Sequence, residues 1–191
     1  MNETIANAIA EHARLLTIIG DTLGAVMAEA ATRMIECLRQ GHTIYWCGNG
    51  GSAADAQHFA AELIGRFERE RRALASVALT ADTSVLTSLG NDYGFHDIFR
   101  RQVEGLVRPG DVLVGISTSG GSPNVLKAIE QARAQGGITI GLLGRDGGAI
   151  GPLCDIAITV PGTNTARIQE MHAVIGHVIC DLVERELAGQ S

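Results

Sequence analysis

The 191-residue chain has no block of Lys and Arg, no C-x-x-C pair and no internal repeat or low-complexity linker. Nor does it contain a run of about 18 apolar residues or a positively charged start ahead of an apolar segment. Each absence removes a class of protein. With 15 Lys and Arg against 21 Asp and Glu, the net charge of -6 argues against nucleic acid or an anionic membrane surface as the main partner. A small molecule is expected instead. The opening Met1-Asn2-Glu3-Thr4 is not a secretory signal, so the expected location is the cytoplasm, without membrane contact. Cys37, Cys47, Cys154 and Cys180 are too widely spaced to indicate a zinc-thiolate knot or a disulfide framework, and read as small buried residues. The length suits one domain.

Residues 3–39 carry apolar positions at helical spacing in two sets, Ile5 to Ile19 and Leu23 to Leu38, with Gly20-Asp21 between them. This predicts a helical pair that packs on another subunit or covers its own sheet; we favour the oligomer. From Thr43 short apolar runs alternate with helical patterns, the signature of βαβ units and a parallel sheet covered on both faces. Strands are expected near 43–47, 75–79, 111–116, 138–143 and 156–160, and helices near 52–67, 82–89, 96–105, 122–135 and 165–187. The expected fold class is therefore α/β: a doubly wound, mainly parallel five-stranded sheet flanked by helices and preceded by the helical pair. Ligands of such sheets collect beyond the carboxyl ends of the strands, so the loops after the first and third strands should share a crevice.

The first of those loops lies in Trp46-Cys47-Gly48-Asn49-Gly50-Gly51-Ser52. Ser52 stands where a helix cap would, with Asp55 three positions on, and the turn would welcome an anion. Gly48 to Ala53 also fits a relaxed G-x-G-x-x-A dinucleotide fingerprint, but the second strand ends Val77-Ala78-Leu79-Thr80 without the acidic residue that motif needs. No nucleotide cofactor is expected. The second loop, Ser117-Thr118-Ser119-Gly120-Gly121-Ser122, runs into Pro123 and a helix, and its hydroxyls and free amides can hold a phosphate without a lysine. On the helix between, His58 and Glu62 project from one side, four residues apart. On the last helix Gln169 and His177 share a face, separated by the small Ala173, Gly176 and Cys180. His58, Glu62, Gln169 and His177 form a plausible divalent-metal set, with Asp55 and His172 as rival ligands nearby. His12, His42 and His96 have no such setting.

With these segments in view, the chain resembles the phosphoheptose isomerases of the sugar-isomerase (SIS) domain family. The resemblance is carried by Cys47 to Leu63, Gly90 to Phe95, Gly110 to Gly120, and Arg167 to His172 with His177. It implies a single SIS domain over residues 1–191, with residues 1–39 as an oligomerisation segment. It further implies that Asn49, Gly50, Gly51, Asn91, Asp92, Ser117, Thr118, Ser119 and Ser122 contact a sugar phosphate, with Ser52 shaping the first loop and Glu62 and Gln169 also at the substrate. The family's zinc ligands match His58, Glu62, Gln169 and His177, one ion per site. A homotetramer with active sites between subunits is implied as well.

The implied reaction interconverts sedoheptulose 7-phosphate and D-glycero-D-manno-heptose 7-phosphate, an early step towards lipopolysaccharide or a related glycan. It is a 1,2 proton shift, for which Glu62 is the expected base and His177 the expected acid. A carboxylate bound to zinc is a weaker base, so the two roles of Glu62 compete. Thr163-Asn164-Thr165-Ala166 does not align with the family. The alternative is a non-catalytic SIS-domain adaptor associating with the bacterial replication initiator. Such homologues share an F-E-x-E-R stretch like Phe67 to Arg71 but lack the catalytic pair that this chain keeps.

Overall fold

A computed structural model describes residues 1–189. The last two positions of the expected single-domain span, Gln190 and Ser191, lie outside the described residues. Two helices, α1 (Asn2–Thr22) and α2 (Gly24–Arg39), precede a strand β1 (Ile44–Gly48) and a helix α3 (Gly51–Ile64). Then follow β2 (Ser76–Ala78), α4 (Thr83–Asp92), a 3-10 turn at Phe95–Asp97, α5 (Arg100–Leu106), β3 (Val112–Ser117) and α6 (Pro123–Ala134). The chain continues through β4 (Ile138–Gly144), a 3-10 turn at Gly151–Leu153, β5 (Ile156–Val160) and the long α7 (Thr165–Leu187).

The five strands pair in parallel in the order β2-β1-β3-β4-β5. All five residues of β1 and all six of β3 are buried, as central strands covered on both faces must be. Alternation sorts their side chains. Ile44 and Trp46 join Val112, Val114 and Ile116 in one core with α1, α2, α3 and α7, while Tyr45, Cys47 and Leu113 join Phe99, Val103, Val125 and Ile129 in the other. The expected doubly wound α/β fold is present.

Several boundaries differ from the sequence expectation; α4, expected over 82–89, runs on to Asp92. The opening pair breaks at Leu23 rather than at Gly20-Asp21, with α1 and α2 bent by 69°. α2 lays Ala31, Met34, Ile35 and Leu38 into the chain's own core, whereas α1 buries Leu15 and Ile19 and leaves Ile5, Ile9 and Leu16 exposed. α3 stops at Ile64, short of residue 67, because the amides of Phe67, Glu68 and Arg69 donate to the Glu184 carboxylate at 2.7–2.8 Å instead of to helix carbonyls. The expected helix at 96–105 divides into the first 3-10 turn and α5.

Candidate active site

β1 and β3 are neighbours while their continuations wind to opposite sides of the sheet, so the crevice expected from the strand order opens between the loops that follow them. In the first loop Gly50, at φ 55° and ψ −120°, is the residue that caps α3, a conformation that favours glycine. Ser52 is not the cap. It is buried in the first turn of α3 and makes no side-chain cap bond, so the capping arrangement with Asp55 is absent. The second loop is as expected, with Ser122 at the cap position and Pro123 opening α6. Its hydroxyls converge, Ser117 Oγ lying 2.9 Å from Ser122 Oγ and 3.4 Å from Ser119 Oγ. Gly120 (φ 66°) lets this loop lie against Gly147, where a Cβ would come within 2.3 Å of backbone. Asn49 and Asn124 exchange two amide hydrogen bonds of 2.8 Å and tie the two loops together. Asn124 is buried and directly follows the Ser-Pro helix start, yet nothing in its sequence setting marks it as the bracket between loops. Beside them a cavity of about 350 Å³ is lined by Asn49, Gly50, Thr80, Thr87, Phe95 and Phe99 among others.

Behind the first loop, α3 and α7 run alongside each other, close enough that a Cβ on Gly176 would strike the Phe59 ring at 2.1 Å. This approach brings three polar side chains together. His58 Nε2 lies 2.9 Å from Glu62 Oε1 and 3.4 Å from His177 Nε2, and the three candidate ligand atoms all fall within 4.8 Å of one another. Zinc bound at about 2.0–2.1 Å in tetrahedral geometry separates its ligand atoms by roughly 3.3 Å, so this donor set fits a divalent cation of that kind. Aromatic rings wall it. Phe59 stacks on His58 at 5.6 Å, and Phe67 lies 5.6 Å from His177. Phe67 belongs to the loop whose amides Glu184 holds, a contact that sequence reasoning did not find because the two lie 117 positions apart. Burial alone would push the Glu184 carboxyl up, but the three amides and Arg71 outweigh it and hold the group below its ordinary value.

The remaining expected residues are placed differently. Gln169 packs on the first turn of α3, where a Cβ on Gly51 would meet its Nε2 at 2.0 Å. His58 lies two turns further along that helix, about 10 Å of rise beyond the turn that Gln169 covers. Asn91 and Asp92 sit at the exposed end of α4, bonded to each other at 2.8 Å. Of the rival ligands, His172 is buried on the sheet side of α7 and hydrogen-bonds the Leu143 carbonyl at 2.9 Å, which takes it out of the cluster. Asp55 lies one turn before His58 and is 9 % exposed; burial pushes its carboxyl up while His58 opposes the shift. His12 has a setting that the sequence did not reveal, 2.7 Å from Glu170. Three of the cysteines are buried and Cys154 partly so, with burial raising every thiol above its ordinary value. No single helix among the described residues is long and apolar enough to cross a membrane.

A serine-rich loop facing a glycine turn at the switch point of a parallel sheet is the arrangement of a sugar-phosphate-binding domain, and residues 9–144 match the model of the SIS domain. Across nearly its full length the chain is 55 % identical to a phosphoheptose isomerase of a Nitratiruptor species, over 96 % of this chain and 98 % of the relative. It is also similar to the solved structure of a phosphoheptose isomerase from Neisseria gonorrhoeae, with a TM-score of 0.92 and 47 % identity over 96 % of this chain and 98 % of that one. The solved phosphoheptose isomerase from Francisella tularensis gives a TM-score of 0.93 at 38 % identity, covering 96 % and 97 %. The chain belongs to the phosphoheptose isomerase family of SIS-domain proteins.

Proposed function

We propose that the protein is an aldose-ketose isomerase that converts sedoheptulose 7-phosphate to D-glycero-D-manno-heptose 7-phosphate, in the cytoplasm, supplying heptose for a surface glycan. The observation that carries this reading is the meeting of Glu62 with His58 and His177 on helices that start or pass beside the two ligand loops. A carboxylate and an imidazole in reach of one another can serve as the base and the acid that a 1,2 proton shift requires. In this reading the serine loop, Ser117 to Ser122, takes the phosphate, while Asn49, Gly50 and Gly51 hold the sugar and Ser52 shapes their turn. Asn91, Asp92 and Gln169 complete the substrate contacts from α4 and α7.

Glu62 takes a proton from C1 of the ketose as His177 gives one to the carbonyl oxygen on C2, and an enediol results. The hydroxyl on C1 then returns a proton to the neutral imidazole, and Glu62 delivers its proton to C2. Oε1 of Glu62 is the oxygen near His58, which leaves Oε2 for the carbon-bound proton. A zinc ion held by His58, Glu62 and His177, with Gln169 as fourth ligand, would take the place of the His177 proton, because an imidazolium has no lone pair for a metal, and would itself stabilise negative charge on the substrate oxygens. The exposed stripe of Ile5, Ile9 and Leu16 on α1 supports a homotetramer assembled through residues 1–39, around active sites shared between subunits. The adaptor reading shares only the Phe67 to Arg71 stretch with this chain, and such a protein would have no use for the Glu62 and His177 arrangement.

The test is to incubate the purified protein with sedoheptulose 7-phosphate and zinc and follow aldose formation by NMR. Turnover is expected, falling about 10²- to 10⁴-fold in Glu62→Gln and in His177→Ala. A wild type that forms no aldose with metal supplied overturns the isomerase, and full turnover in Glu62→Gln overturns the assigned base alone.

A further inference from the structure

Asp55 is the one buried carboxylate among the described residues whose oxygen has no hydrogen-bond partner: Oδ2 is shielded from solvent and unpaired, and the residue is only 9 % exposed. Its counterpart Glu184, equally charged, is satisfied by three amides and Arg71. An acceptor left in that condition costs stability, and such a cost persists where a ligand uses the group. Asp55 lines a cleft of about 290 Å³ between α3 and α7, together with Ala166, Gln169, Glu170 and Ala173. Along α3 it stands one turn before His58 and one turn after Gly51, which Gln169 covers, so it lies between the proposed reaction centre and the first loop.

The chemistry of the cleft selects what fills it. Glu170 is already engaged by His12 at 2.7 Å and by Arg167, so its charge is matched and Asp55 is left as the unpaired acceptor. Two carboxylates repel a phosphate, which finds its donors at the serine loop instead. One unpaired carboxylate is a poor cage for a cation. What suits an acceptor beside an amide and two alanines is a hydroxyl donor. We infer that Asp55 is a substrate-binding residue whose carboxylate accepts a hydrogen bond from a hydroxyl of the sugar chain, holding the polyol in the α3–α7 groove while the serine loop holds the phosphate. This rests on the isomerase reading and gives the bound substrate a direction.

Asp55→Asn tests it, because the amide keeps the shape and removes the charge. Four quantities are compared with wild type: the dissociation constant for sedoheptulose 7-phosphate from ligand-dependent thermal shift, kcat/KM, and the melting temperature and assembly state without ligand. Loss of a charged hydrogen bond is expected to weaken binding and lower kcat/KM by about 10- to 100-fold. The unliganded melting temperature should stay level or rise, since an amide is cheaper to bury than an unpaired carboxylate. Binding and kcat/KM both within about threefold of wild type would overturn the inference. So would a lower unliganded melting temperature or an altered assembly state, either of which makes Asp55 structural. Failure of the isomerase reading shows separately, as a wild type without turnover.

Discussion

The most quantitative expectation concerns His172, which the fold removes from the site and places where its charge is not tolerated. Its ring is fully buried, Nε2 donates to the Leu143 carbonyl, and Nδ1 has no partner among the described residues. A second proton would put an N–H where nothing accepts it. Burial accordingly pushes the pKa from 6.5 to about 4, against the opposing pull of the Leu143 carbonyl. Because the folded-state value is the lower one, the unfolded chain holds a proton between those limits that the folded chain does not. The contribution of His172 is therefore complete above about pH 6.5 and is lost as the pH falls towards about 4. At about 1.4 kcal/mol per pH unit the loss comes to roughly 3 kcal/mol. The assay is urea unfolding at fixed protein concentration from about pH 7 to about pH 4.5, for wild type and His172→Gln, which keeps a donor without a titrating group. The variant should lose less stability with acid, so the gap between the two curves should close by about 2–3 kcal/mol over that range. A gap that stays constant within about 0.5 kcal/mol would refute the argument.

Glu184→Ala should destabilise the protein by about 3–5 kcal/mol, since it strands three amides and leaves the nearly buried Arg71 charge without its counter-ion, held only by backbone carbonyls; denaturant midpoints would show it. Activity should fall with it, because Phe67 would no longer be held against His177. Gly176→Ala must displace the Phe59 ring that supports His58, so we expect a loss of about 1–3 kcal/mol in melting experiments and weakened zinc binding by competition with a chelator. An unchanged zinc affinity would separate the ring from the metal site. Ile9→Glu places a charge on the exposed apolar stripe of α1 and should shift the assembly towards smaller species in light scattering, whereas an unchanged mass would remove α1 from the subunit contacts.

The site was legible in proportion to how local its signals were. His58 and Glu62 share a helix face, and the Ser-Pro start of α6 is a short-range signal, so spacing alone located them. Ser52 misled the reading, because a serine after glycines resembles a cap whatever the glycine before it does. In fact Gly50 occupies the cap with a positive φ that the sequence permits but does not announce. Glu184 holding the loop of Phe67, and Asn124 bracing Asn49, join distant positions and left no periodic trace.

The Trp46 to Glu62 stretch, the strand and helix alternation and the four family motifs were determined by sequence alone, since short-range sterics and hydrophobic period suffice to write them. The meeting of His58 and Glu62 with His177 was decided by tertiary structure, through the packing of α3 on α7 at Gly176. The same packing laid Gln169 on the first turn of α3 and left Asp55 buried without a hydrogen-bond partner, while the contact of α7 with β4 put His172 in the core. Spacing along one helix fixes which side chains share a face, but only the contact between two helices fixes which faces meet.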